Sequence, residues 1–274
     1  MRRPTLVGVR QGRVKTLTKM QKGTENAVRE EALKGAINSM KRTSVNNITK
    51  QFDIMTIPKE IKTQGTIMNT EGQNLIVKLP EKLMNELKDI YNMSEEKQHE
   101  FAGLIECTFD ANYALVKSHT MRTNYSRGTV APPQRTKETS IMYHSHPAPK
   151  PKGTGITIVS IPSDMDFTTY LNAQEKGIVE GNLILDQNGV YVIDVVNFKK
   201  QGIFQYFLNL IKSQGGFNYV IKNDLFFMNI DVNTWQKFIN GKVDILLKKE
   251  FGVSMKFYKW SELPTMRIRA RKKM

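Results

Sequence analysis

Cysteine is nearly absent: Cys107 is the single thiol of the 274-residue chain. One cysteine cannot close an internal disulfide, which excludes a disulfide-stapled secreted fold and points to a reducing compartment. Long apolar runs are missing too, and none reaches the roughly 20 residues of a membrane-spanning helix. The opening MRRPTLVGVRQGRVK has no apolar stretch of signal-peptide length, although its basic character is compatible with a transit peptide. No internal repeat or low-complexity tract stands out. Hydrophobic residues at 39% and charged residues at 24% exclude a wholly disordered or collagen-like chain. The expectation is a soluble, intracellular protein, in a cytoplasm (a host cell's included) or a virion, with no membrane partner. Its length suits one sizeable core.

Acid is scarce relative to base, with 26 Asp+Glu against 41 Lys+Arg and a formal charge of +15. The excess is not spread evenly. Met1 to Gly65 carries 14 basic and 5 acidic residues, and the last nine residues, MRIRARKKM, carry five basic and none acidic. The stretch between them holds 22 basic and 21 acidic residues, so it is almost neutral. Two basic arms around a balanced middle suggest a nucleic acid or other polyanion, or docking into a larger assembly. Base reading is not expected of the N-terminal arm, because the first fifty residues contain no Phe, Tyr or Trp to stack on.

Helical spacing of Ala27, Val28, Ala32, Leu33, Ala36, Ile37 and Met40 predicts an amphipathic helix over Thr24 to Arg42. From Asn74 the pattern is that of a folded domain. NLIVKL reads as a strand, and Pro80 opens a helix through about Met93 with Leu83, Leu87 and Ile90 on one face. EFAGLIECTF, YALVKSHT and TSIMYHSH read as strands, and PAPKPKGTG as a loop. Ser163 to about Glu175 reads as a helix, and Asn188-Gly189 between GNLILD and VYVIDVV signals a hairpin. A strand-like NYVIKNDLFFMNI, a helix near WQKFINGKVDILLKK and a strand VSMKFYKW follow. Strands and helices mix without regular alternation, which predicts an α+β fold of mixed three-layer type. Trp235, Trp260 and the Phe-rich 204–228 stretch read as core.

Histidine is sparse, and all four residues (His99, His119, His144 and His146) fall in one window. His144 and His146 lie two apart at the end of a predicted strand, so both imidazoles share a face, a spacing that suits a metal such as zinc. The same spacing also fits two strand-end histidines with no metal. Further on, Ser163 and Asp166 stand three apart on the first turn of a predicted helix, where they suit capping. A helix start aimed at the strand end would make Asp166 a third ligand, and capping and ligation are compatible. His99 and His119 read as structural, and Cys107 as a buried hydrophobe.

These residues resemble the signature of the JAMM (MPN-plus, JAB-domain) zinc metalloproteases: an upstream Glu, then His-Ser/Thr-His-Pro, then Ser-x-x-Asp. The matching pieces are Glu100 in HEFAGLIEC, His144 and His146 in YHSHP, and Ser163 and Asp166 in PSDMD. The Pro before the Ser is most similar to bacterial, phage and viral members, and the resemblance spans roughly Pro80 to Val196. Nineteen residues separate His146 from Asp166, a longer spacer than the family's usual one, with the extra length in the PAPKPKGTG loop.

The resemblance implies Zn²⁺ held by His144, His146 and Asp166, Glu100 as general base, and Ser163 as stabiliser of the oxyanion. Choosing Glu100 over Glu95, Glu96 and Glu106 rests on it, through the Phe-Ala-Gly-Leu-Ile that follows. It also implies a protein or peptide substrate, ubiquitin-like conjugates foremost, cleaved at a peptide or isopeptide bond. The matching organisation is a basic N-terminal arm (1–65), a catalytic domain (66–197), an α+β extension (198–262) and a basic tail (263–274). The competing expectation is an assembly subunit, of a virion or ribonucleoprotein, that uses such a domain as a module anchored by the arms.

Overall fold

The structure is a computed structural model that describes residues 55–59, 63–71, 74–109, 113–123, 139–148, 158–199, 202–214, 219–222 and 225–269. The predicted helix over Thr24 to Arg42, the PAPKPKGTG loop from 149 onward and the last five residues lie outside them. In chain order the elements begin with β1 (Met55–Lys59), β2 (Thr63–Glu71), β3 (Asn74–Lys78), α1 (Glu81–Lys97), β4 (Phe101–Phe109) and β5 (Tyr113–Thr123). Then come β6 (Thr139–Ser145), β7 (Ile158–Ile161), α2 (Asp164–Glu175), β8 (Gly181–Asp186), β9 (Gly189–Val195) and α3 (Ile203–Ser213). After β10 (Tyr219–Lys222) and β11 (Leu225–Asn229), one helical run holds α4 (Val232–Lys237), a π-helical segment (Phe238–Val243) and α5 (Asp244–Phe251). The described chain ends with β12 (Val253–Lys259) and β13 (Thr265–Arg269).

The architecture is mixed α+β. A ten-stranded sheet runs β12-β9-β8-β6-β4-β5-β2-β3-β13, with β1 also paired to β5, and β10-β11-β7 form a second small sheet. Among the described pairs only β6 and β8 run parallel. On the central strands β8 and β9 both faces are buried, which makes them near-continuous apolar runs. On β8, Leu183 and Leu185 join the core beneath α1 (Leu83, Leu87, Ile90, Tyr91), together with Met266 and Ile268 of β13. Ile184 faces the other way, into a core shared with Phe167 and Tyr170 of α2, Phe207 and Ile211 of α3, and Trp235 of α4. Helices therefore cover both faces.

Several boundaries differ from the sequence expectation. The described part of the fold already includes β1 at Met55–Lys59, inside the stretch set as the N-terminal arm, and the basic tail set at 263 contains β13, which pairs with β3 from Thr265↔Lys78 to Arg269↔Asn74. Alternation explains it: Met266 and Ile268 are buried while Arg269 is exposed, so one strand carries both core and charge. The 198–262 stretch supplies β12, the neighbour of β9, and helices of one core, and all described residues belong to one compact unit, Asp53–Met274. NYVIKNDLFFMNI is two paired strands rather than one. The hairpin forms with Asp186↔Gly189 as its last pair, so Gln187-Asn188 make the turn. Gly189 serves a close approach instead: a Cβ there would lie 2.0 Å from the Tyr258 carbonyl oxygen of β12.

The outer edge of β12 is closed by side chains of the helical run. Asn240 of the π segment donates to the Phe257 carbonyl (2.9 Å) and accepts from its amide (2.7 Å), while Asp244 accepts from the Met255 amide (3.1 Å). An amide that pairs both groups of one strand residue imitates a neighbouring strand and blocks edge-to-edge association.

One buried acid in this region makes stability depend on pH. Burial pushes the carboxyl of Asp194, on β9, up from 3.8 to about 6, against the Arg267 amide that donates to it at 3.2 Å. Between about pH 4 and 6 the folded chain keeps a proton that the unfolded chain has lost. Stability therefore falls as pH rises through that window, by at most about 3 kcal/mol. Asp194→Asn is expected to flatten this decline and to raise stability at pH 8 by about 1–3 kcal/mol. Urea midpoints of both proteins at pH 4 and pH 8 check it, and parallel profiles would refute it.

Candidate metal centre

Strand register brings the histidines to Glu100. β4 and β6 pair antiparallel, with Ala102 opposite His144, so two residues beyond that last pair the register sets Glu100 across from His146. Small Ala102 leaves room beside the His144 ring. On the other side β6 runs parallel to β8, and the His146 amide donates to the Leu185 carbonyl at 2.9 Å. The two imidazoles thus project from the end of a central strand held on both edges, a stiff mount for a ligand pair.

Asp166 arrives from the opposite direction. β7 leads through buried Pro162 into α2, where Ser163 is the N-cap. A capping box forms: Asp166 N–H donates to Ser163 Oγ at 3.3 Å, and Ser163 N–H donates to Asp166 Oδ2 at 2.6 Å. The box fixes the carboxylate as well as the helix start. β7 is anchored by Asp186 of β8, which accepts from the Ser160 amide at 2.6 Å, and by Asn188, which donates to the Ile158 carbonyl at 2.7 Å.

The three side chains converge. His144 Nε2 and His146 Nε2 are 3.1 Å apart, and they lie 2.9 Å and 3.3 Å from Asp166 Oδ1 and Oδ2. Metal bonds of about 2.0–2.1 Å at tetrahedral angles separate ligand atoms by about 3.3 Å, so the spacing fits such an ion. Protons satisfy the cluster poorly, because two Nε2–H groups donating to one carboxylate would also face each other. A cation meets all the lone pairs at once. His144, His146 and Asp166 are the group of potential ligands among the described residues, and they could hold a metal ion. Nδ1 of His146 is buried without a hydrogen-bond partner among the described residues.

Electrostatics tie the cluster together. Burial works against the Asp166 carboxylate, yet the two imidazoles outweigh it and hold its pKa well below the usual carboxylate range. Burial likewise works against protonated His146, and Asp166 and Glu100 outweigh it and push its pKa up. Glu100 is 6% exposed, and burial pushes its carboxyl up while His146 and His144 pull it down. The other upstream acids are placed differently. Glu106 pairs with Ser140 further along β4, Glu95 accepts from the Tyr91 hydroxyl, and Glu96 is exposed.

Other residues singled out from the sequence lie elsewhere. Cys107 is buried and its thiol is pushed up to about 12 by burial, which makes it a poor nucleophile. His119 sits in β5 opposite Ile105, with Lys59 of β1 on its other side. Trp235 is fully buried and donates to the Tyr191 hydroxyl at 2.6 Å.

Two residues of α1 and its C-cap Gln98, which sequence reasoning passed over, grip the site from behind. Ser94 Oγ meets Ser145 Oγ at 2.6 Å, Tyr91 OH accepts from the Ala148 amide at 3.3 Å, and Gln98 Nε2 donates to the Ala148 carbonyl at 3.0 Å. Gln98 adopts a left-handed conformation (φ 53°) that ends the helix, and its side chain offsets that strain with a second bond, to the Glu95 carbonyl. No protein-family model, curated protein or solved structure matches the chain.

Proposed function

We propose that the chain is a zinc-dependent metallopeptidase of JAMM type that hydrolyses a peptide or isopeptide bond. The observation that supports this most is the convergence of two Nε2 atoms and a carboxylate at hydrogen-bond separations beside a buried glutamate. Three protein ligands leave a fourth position open, the pattern of a catalytic rather than a structural zinc site. His144, His146 and Asp166 would hold the zinc, which when bound would supply Lewis acidity at the scissile carbonyl and shift the ionisation of water toward neutral pH.

The chain's own residues do the rest. Glu100 takes the proton of the attacking water and returns it to the leaving nitrogen. A carboxyl raised by burial is better matched to both transfers than an exposed one. Ser163 Oγ accepts from the Asp166 amide, so its hydroxyl hydrogen is available to the oxyanion. The sequence signature adds the expectation of ubiquitin-like conjugates as substrates.

The test pairs metal analysis with cleavage. Protein purified without chelator is expected to carry about one zinc per chain, to cut an isopeptide- or peptide-linked ubiquitin-like substrate, and to stop when the metal is stripped. Absence of metal at full loading refutes the reading. Metal without cleavage favours the assembly subunit, anchored through its basic ends to a polyanion.

A further inference from the structure

Glu100 precedes the first residue of β4, where a chain end is free to fray, yet both backbone groups flanking it are tied. The Phe101 amide donates to Ser145 Oγ at 2.8 Å, Ser145 Oγ meets Ser94 Oγ at 2.6 Å, and Ser94 Oγ donates to the His99 carbonyl. The proton order is forced. A carbonyl only accepts, so the Ser94 hydroxyl hydrogen points to His99. The Ser145 hydroxyl must then donate to Ser94 Oγ, and its own oxygen is left to receive the Phe101 N–H. One directed chain therefore runs from the residue after Glu100, through two hydroxyls, to the residue before it.

Both serines are fully buried, which removes water as a substitute partner. Ser145 is also the residue between His144 and His146. By period-two alternation its side chain points away from theirs, toward α1. The same residue thus spaces the two histidines and holds the peptide of Glu100. The Ser94 carbonyl accepts from the His99 amide at 3.1 Å, so α1 binds this turn through backbone and side chain together.

We propose that Ser94 and Ser145 are positioning residues that hold Glu100 in register with His144 and His146; the proposal rests on Glu100 being the general base. Neither serine belongs to the group that could hold the metal. Their effect is expected in turnover rather than in metal content, because His144 and His146 keep the mounts given by β4 and β8.

The experiment uses the full zinc-loaded chain with Ser145→Ala, Ser94→Ala, the double variant, and Ser145→Thr and Ser94→Thr as rescues. Each alanine is expected to lower kcat by about 10- to 100-fold, the scale of an ångström-sized misplacement, with KM within about threefold. Zinc content is expected to stay unchanged, and the Phe101 amide to exchange at least about tenfold faster than that of Ile105 in mid-strand. The double variant is expected to be about as slow as either single, since the hydroxyls act as one unit. At least one threonine is expected to restore kcat. Ile90→Val, which trims the same helix without touching the chain, is expected to leave kcat unchanged.

Unchanged kcat in both alanine variants overturns the proposal, as does an equal loss in Ile90→Val. A wild-type chain that binds no metal or cuts nothing overturns the reading of Glu100 itself, and shows this before any serine is changed.

Discussion

Glu100→Gln is expected to keep its zinc and lose hydrolysis. General acid–base transfer contributes about 10²- to 10⁴-fold, and kcat is expected to fall by that factor with KM little changed. An amide of the same shape preserves packing at a residue that is 6% exposed, so the loss is chemical rather than steric. Stability is expected to move the other way. Burial raises the Glu100 pKa, so in the metal-free chain the folded state holds a proton that the unfolded state gives up as pH rises past the unfolded value. Ionised Glu100 therefore weighs against folding at neutral pH, and the neutral amide removes that cost. A metal-free Glu100→Gln protein is expected to melt higher than metal-free wild type at pH 8, with the difference shrinking below pH 4. Activity lost together with stability would mark Glu100 as a structural acid.

Much of the candidate site is legible in the sequence because its parts are local. Period-two alternation sets His144 and His146 on one face, and helix-capping preference sets Ser163 and Asp166 on one turn. The convergence itself is not local. It depends on the antiparallel β4–β6 register, on β8 lying parallel to β6, and on Asp186 fixing β7 from across the sheet. Ser94 leaves a usable trace. It continues the buried stripe of Leu83, Leu87 and Ile90 on α1, and a polar residue on a buried face needs a partner. What cannot be read in advance is that the partner is Ser145, 51 residues away.

The fold is legible to a similar depth and fails for similar reasons. Strands β3, β4, β6, β8, β9 and β12, and helices α1 and α2, follow from alternation, capping and turn residues. The misplaced boundaries lie where charge masked pattern or where a distant strand set the role of a residue. In TMRIR the arginines dominate the composition, but alternation puts Met266 and Ile268 in the core. Gly189 looks like a turn glycine, and only the arrival of β12 shows that its missing Cβ makes room for the Tyr258 carbonyl.

Asp166 has two tasks, and two substitutions separate them. Asp166→Asn keeps an oxygen able to accept the Ser163 amide, so the capping box survives in part, and the loss of stability is expected to stay within about 1 kcal/mol. The charge is gone, however, and with it the anionic ligand at 2.9 Å from His144 and 3.3 Å from His146. Outer-shell changes cost about 10- to 100-fold in metal affinity, and loss of a direct ligand is expected to exceed 100-fold, leaving the chain metal-free and inactive. Ser163→Ala is the complement. It removes the acceptor for the Asp166 amide and costs about 1 kcal/mol of helix capping, but leaves all three ligands in place. Zinc content near one is expected there, with kcat reduced by about 10²- to 10³-fold through the lost oxyanion donor. Competition with a chromogenic chelator reads the affinities, and thermal melts of the stripped proteins read the capping. An Asp166→Asn protein that binds zinc as tightly as wild type would assign the carboxylate to capping alone and reduce the centre to two histidines.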